Sequence, residues 1–151
     1  MLIKMGVLTM IVNKTFILAG KAIFTVSNDN DEHFTYRVNA KNDRYKEGVK
    51  VYFASLLTGP DNLSSYTYMG LINPEKLSLV PTKGSKIGSG SKSAKVLRWA
   101  LRVIAGRTAL PEGYDIQHAG RCCRCCKTLT EPESLATGMG PYCRQQLGVL
   151  H

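Results

Sequence analysis

The sequence predicts an α+β chain: an N-terminal antiparallel β meander or small barrel, one basic amphipathic helix, and a C-terminal cysteine-bearing module. Three observations predict it. Residues 1–80 hold about five short β-branched and aromatic segments separated by polar turns. Residues 94–106 carry apolar side chains at helical spacing and end in glycine. Four of the five cysteines fall within residues 122–126.

Taken in order, KTFILAGKAIFTV (14–26) is β-branched and aromatic around a central glycine and reads as one bent strand or two short ones. HFTYRV (33–38) alternates, with Phe34, Tyr36 and Val38 on one face and Thr35 and Arg37 on the other. VKVYFASLL (49–57), YTYMGLI (66–72) and LSLV (77–80) follow as strands, parted by the turn-rich KNDRYKEG and TGPDNLSS. The opening MLIKMGVLTMIVNKTFILAG (1–20) places one lysine before an apolar run that Gly6, Thr9 and Asn13 break, with no convincing cleavage site, so a secretory signal is not expected. No apolar run reaches the roughly 18 residues of a membrane span. A chain that is not exported sits in a reducing cytosol, where clustered cysteines bind metal more often than they pair as disulfides.

PTKGSKIGSGSKS (81–93) is Gly-, Ser- and Lys-rich, offers little to bury and lacks the phosphate-loop pattern. It reads as a linker between an antiparallel β domain (1–80) and a helix plus metal-binding module (94–151). Ser91 or Ser93 can cap the helix and Gly106 suits its C′ position. Leu97, Leu101 and Ile104 form its apolar stripe, Lys95, Arg98 and Arg102 share the other face, and Trp99 borders the two. The chain has 20 Lys and Arg against 11 Asp and Glu, a net charge of +9. Residues 1–90 hold 11 basic and 7 acidic side chains and residues 91–151 hold 9 and 4, so the shorter part carries the larger excess. Such a balance suits a polyanionic partner.

In HAGRCCRCCK (118–127) two C-x-x-C pairs interlock, Cys122 with Cys125 and Cys123 with Cys126. The preceding PEGYDIQHAG is turn-like, unlike the strand that leads into a thioredoxin-type redox motif. Zinc, which takes thiolate and imidazole in a tetrahedral shell, is the favoured ligand. His118 stands four residues before Cys122 and Cys143 is the one remaining cysteine, giving the shell His118, Cys122, Cys125 and Cys143. Spacing alone leaves the register between the interlocked pairs open.

His118, Gly120, Arg121, Cys122, Cys125, Leu129, Thr130, Pro132, Ser134, Gly138, Gly140, Pro141 and Cys143 form H-x-G-R-C-x-x-C-x-x-L-T-x-P-x-S…G-x-G-P-x-C. This resembles the C-terminal zinc-binding motif of a family of small, mostly uncharacterised bacteriophage proteins. ILAGKAIFTV, FTYRV, LLTGPDN and YTYMG upstream are similar to them as well. The resemblance implies Cys122 and Cys125 as ligands, with Cys123 and Cys126 standing where the family carries glycine. It also implies a phage origin, and so the cytoplasm of an infected bacterium. Thr130 can cap a short helix with Pro132 and Glu133 in its first turn, and Gly138 and Gly140 permit a reversal that returns Cys143 to the knuckle. The expected module is ribbon- or treble-clef-like, with Cys123 and Cys126 as exposed, oxidisable bystanders.

Four protein ligands fill a zinc shell, so the expected centre is structural. Neither the zinc-deaminase pattern nor a nucleophile–base set or nucleotide loop can be assembled, and an enzyme is not expected. The expected role is nucleic-acid binding, to DNA or RNA. Lys83, Lys86, Lys92, Lys95, Arg98, Arg102, Arg121, Arg124 and Lys127 would contact phosphates, and Tyr36, Tyr52, Phe53, Tyr66 and Tyr68 could stack bases. The alternative is an effector that binds a host protein, such as a defence or transcription component.

Overall fold

The computed structural model describes residues 12–147. The expectation of no signal segment rests on residues 1–20, of which 1–11 lie outside that range. Six strands, β1 (Lys21–Asn28), β2 (His33–Asn42), β3 (Lys50–Leu57), β4 (Tyr66–Asn73), β5 (Ser78–Val80) and β6 (Tyr114–His118), form one antiparallel sheet in the order β5-β4-β3-β2-β1-β6. The sheet curls into a half-barrel. β1 to β5 follow one another as a meander, as the short strands and polar turns lead one to expect, and β6 returns to the free edge of β1. Four helices complete the α+β fold: α1 (Lys14–Ile17), α2 (Lys92–Ile104), α3 (Pro132–Thr137) and α4 (Pro141–Leu147).

Alternation sets which side of the sheet is buried. Ala22, Phe24 and Val26 of β1, Tyr36 and Val38 of β2, Ala54 and Leu56 of β3 and Ile72 of β4 enter the core. Phe24, Tyr36 and Leu56 are direct cross-strand neighbours. α2 packs on this side through Ala94, Leu97, Ala100, Leu101 and Ile104. The Tyr36 hydroxyl, fully buried, donates to the Ser93 carbonyl at 2.7 Å and fixes the first turn of the helix to the middle of the sheet. The Ser91 side chain accepts from the Ala94 amide at 3.2 Å as N-cap. Gly106 (φ 79°) closes the other end: its N–H donates to Val103 O and that of Arg107 to Arg102 O, a Schellman pair.

Two local expectations are corrected. Residues 14–17 are helical, not strand, because the Asn13 side chain accepts from the Phe16 amide at 2.9 Å and both Phe16 and Ile17 gain burial from one turn. Residues 114–118 are a strand, not a turn: Ile116 points inward between exposed Asp115 and Gln117, and the open edge of β1 supplies hydrogen-bond partners. Residues 81–91 are tied down by Lys86 N to Tyr68 O (2.9 Å) and Thr82 N to Ser85 Oγ (2.9 Å), with Ile87 against the core. One buried cluster runs from Val12 to Cys143, drawing on both sides of that segment. Among the described residues no helix is long and apolar enough to cross a membrane.

Candidate metal centre

The chain leaves β6 at His118 and continues beside β1, with Ala119 N donating to Ile23 O (3.1 Å) and Lys21 N to Cys123 O (2.7 Å). Gly120, at φ 77°, lets it turn into a tight hairpin. Arg121 bridges Thr128, Cys122 N donates to Lys127 O (2.8 Å) and Cys126 N returns to Cys122 O (2.8 Å). This is a knuckle: two cysteines project their sulfurs to one side while backbone N–H groups turn in. α3 begins at Pro132 and ends on Gly138 in the left-handed conformation (φ 71°), and α4 then carries Cys143 in its first turn. The Sγ atoms of Cys122, Cys125 and Cys143 lie within 4.8 Å of one another.

The electrostatics suit a metal. Burial works to raise the Cys122 thiol, but the amides of Gly140, Cys125 and Arg124, with the Cys125 side chain, outweigh it and hold the thiol down at about 7. The Arg124 amide reaches that sulfur at 3.4 Å. Cys143 is pushed up to about 11, first by burial and then by the Cys122 and Cys125 sulfurs, against a hydrogen bond from the Arg124 side chain. Three converging sulfurs with inward amides form a soft donor set, and these residues can hold a metal ion.

The register is the one in which Cys122 and Cys125 converge. Cys126 sits at φ 69°, a backbone conformation that favours glycine and that L side chains adopt at a cost. Cys126 thus occupies a position whose backbone suits glycine. Cys123 is not an exposed bystander, as its place beside a ligand suggested. It is fully buried, its N–H donates to Gly138 O (2.9 Å), and burial followed by the charge of Cys122 pushes its thiol up to about 12. Cys126 is half-buried rather than exposed.

His118, the fourth donor expected from spacing, stands outside the sulfur group. Its Nδ1 accepts from the Gly120 amide at 2.9 Å and its Nε2 lies 2.8 Å from the Leu135 carbonyl. A carbonyl can only accept, so Nε2 carries the proton and neither ring nitrogen keeps a free lone pair. The imidazole ties the knuckle to α3. No fourth His, Cys, Asp or Glu donor joins the three sulfurs among the described residues.

The cations near the centre divide. Arg121 donates from Nη1 to Cys126 O at 3.0 Å, and Arg124 is turned to Cys143, so both serve the module rather than solvent. Arg144 is buried; its Nη1 reaches Ser134 Oγ (3.0 Å) and Met139 O (2.7 Å), and Nη2 pairs with Glu133 at 3.5 Å. Lys127 alone of this group is exposed. Thr130 does not cap α3; Glu131 is its N-cap, without a side-chain hydrogen bond, and Pro132 supplies the first turn. Leu129 is buried and donates its N–H to Gly120 O (2.9 Å).

The other expected contacts lie on α2 and the loop before it. Lys83, Lys86, Lys95 and Arg102 are exposed, Arg98 is half-buried, and Lys92 pairs with Glu32 at 2.6 Å. At about 100° per residue, Arg98, Arg102, Lys95, Trp99 and Lys92 occupy one sector of the α2 surface. The sheet aromatics are less available. Tyr36 is in the core and Tyr52 packs against it. Phe53, Tyr66 and Tyr68 lie half-buried on the opposite face, where Arg37 already covers Tyr66 at 4.3 Å and Lys41 lies 5.6 Å from Phe53. Sequence reasoning missed Phe34 and Tyr114, which meet α2 near Trp99; only the strand pairing of β1 with β2 and β6 brings them there.

Residues 115–148 match DUF6011, a family of unknown function. No curated protein and no solved structure matches the chain. The matched segment begins in β6 and takes in the knuckle, α3 and Cys143, so the part of the chain with a family likeness is the part that builds the three-sulfur centre.

Proposed function

We propose that this chain is a phage accessory protein, acting in the infected host cell, in which a structural zinc held by Cys122, Cys125 and Cys143 fixes a treble-clef-like module, and that it binds nucleic acid along α2. Zinc suits three thiolates better than the harder divalent ions do. Its role here is to bind the β1 edge, α3 and α4 into one unit, with the fourth position left to a donor other than the His118 ring as placed. When bound, the ion supplies folding energy by cross-linking these segments.

The observation that carries the nucleic-acid reading is the exposed side of α2. Lys95, Arg98 and Arg102 share one stripe with half-buried Trp99, and Lys95 and Arg102 make no ion pair with another described residue. Cations flanking an accessible ring suit a polyanion whose bases can stack. The test is binding of the metal-loaded protein to labelled single- and double-stranded DNA and RNA across a salt series. Submicromolar binding that survives physiological salt, with a slope that falls by about one for each of Lys95→Ala and Arg102→Ala, supports the reading. Binding that vanishes by that salt, or is indifferent to these cations, contradicts it. A second reading, capture of a host protein, is favoured by exposed Leu135 on α3 and Tyr142 on α4 (41% and 68% accessible). It would be supported by a partner whose capture requires these two side chains.

A further inference from the structure

Beneath Trp99 the fold leaves a cavity of about 300 Å³ between α2 and the adjacent ends of β1, β2 and β6. Val26, Phe34 and Val96 give it apolar walls, and Trp99 and Tyr114 stand at its side with ring centroids 5.3 Å apart and planes tilted by 59°. Of the charged groups lining it, Glu32 and Lys92 satisfy each other. Lys95 lines it too, and its ammonium makes no ion pair with another described residue. The cavity volume is at the lower end of ligand sites, enough for one ring system. The ligand chemistry it fits is a planar, largely apolar ring attached to an anion.

Lys95 is also the first residue of the cationic stripe that continues through Arg98 and Arg102 along α2. We propose that the cavity receives one unstacked base of a single-stranded nucleic acid, held against Trp99 and Tyr114, with the adjoining phosphate on Lys95. This rests on the nucleic-acid reading of α2 and adds to it a preference for single strands. In a duplex the bases are stacked and paired, and none can enter without being flipped out. Asp29 and Asp31 lie in the β1–β2 turn, Glu112 just before β6 and Asp115 within it, next in the chain to residues that line the cavity from the strand side, so the phosphate is assigned to the helix side, where Lys95 stands.

Trp99 is the only tryptophan of the chain, so its fluorescence reports on the cavity without labelling the protein. The metal-loaded full chain is titrated with a single-stranded oligonucleotide, with an abasic strand of the same length, and with the corresponding duplex. Anisotropy of labelled strands gives the affinities. The expected result is quenching of Trp99 by the single strand alone, at least about tenfold tighter binding of that strand than of its abasic counterpart, and loss of this preference in Tyr114→Ala. Equal affinity for base-bearing and abasic strands, with Trp99 emission unchanged, overturns the cavity proposal and leaves the nucleic-acid reading standing. Absence of binding to every strand overturns both. The comparison of strands uses the unaltered protein, so it does not depend on how any variant folds.

Discussion

At the residue scale, Cys126 shows how one side chain can sit in the wrong conformational class and still mark a motif. Its φ of 69° is the backbone a knuckle needs after its second ligand, and glycine adopts it without cost. Cys126→Gly is therefore expected to stabilise the fold by about 1 kcal/mol in denaturant titration, with metal content unchanged. The same conformation explains why the register was open in the sequence: two interlocked C-x-x-C pairs are equivalent by spacing and differ only in backbone geometry. His118 was legible as a residue of the site but not in its role, because three intervening residues say nothing about where the ring at the end of an edge strand points. The thiols set a pH dependence with a definite sign. Cys143, raised to about 11, is protonated at neutral pH and must lose its proton to bind metal. Metal affinity measured against a chelator should accordingly rise by at least about tenfold per pH unit between pH 7 and 9. Below about 7, where Cys122 also holds its proton, the rise should be steeper. An affinity flat in pH would show that these thiols do not ionise on loading.

At the scale of elements, the meander was readable because hydrophobic alternation, polar turns and a capped helix each state their structure locally. α1 and β6 were not. Helical residues 14–17 carry β-branched and aromatic types whose local preference is overridden by an Asn13 cap and by burial of Phe16 and Ile17. β6 has one buried side chain, Ile116, and becomes a strand only because β1 offers an edge. Gly70 in β4 is a further point that the sequence leaves unmarked. Its φ is 152°, and a Cβ there would lie 2.6 Å from the Val80 carbonyl oxygen of β5. Gly70→Ala should cost about 2 kcal/mol or more, through backbone strain and displacement of β5. Equilibrium unfolding measures it, and a neutral substitution would mean that β5 is not held where the pairing of Leu71 with Val80 puts it.

At the scale of the whole molecule, a metal held by the knuckle and α4 acts on the entire fold, because Cys122, Cys123 and Cys143 belong to the same buried cluster as the sheet and α2. Free zinc at about a hundredfold above its dissociation constant should add about 2.7 kcal/mol to folding, raising the thermal midpoint by roughly 5–10 °C. A midpoint indifferent to metal would separate the centre from the stability of the molecule. In the proposed centre Cys122, Cys125 and Cys143 hold one metal ion, and Cys123 and His118 do not. Native mass spectrometry of the protein and its single variants, with visible absorption of the cobalt form, distinguishes these residues. The expected result is one ion per chain with thiolate charge-transfer bands, lost in Cys122→Ser and Cys143→Ser and retained in Cys123→Ala and His118→Ala. No bound ion in the unaltered chain, or equal loss from Cys122→Ser and Cys123→Ala, would overturn this ligand assignment.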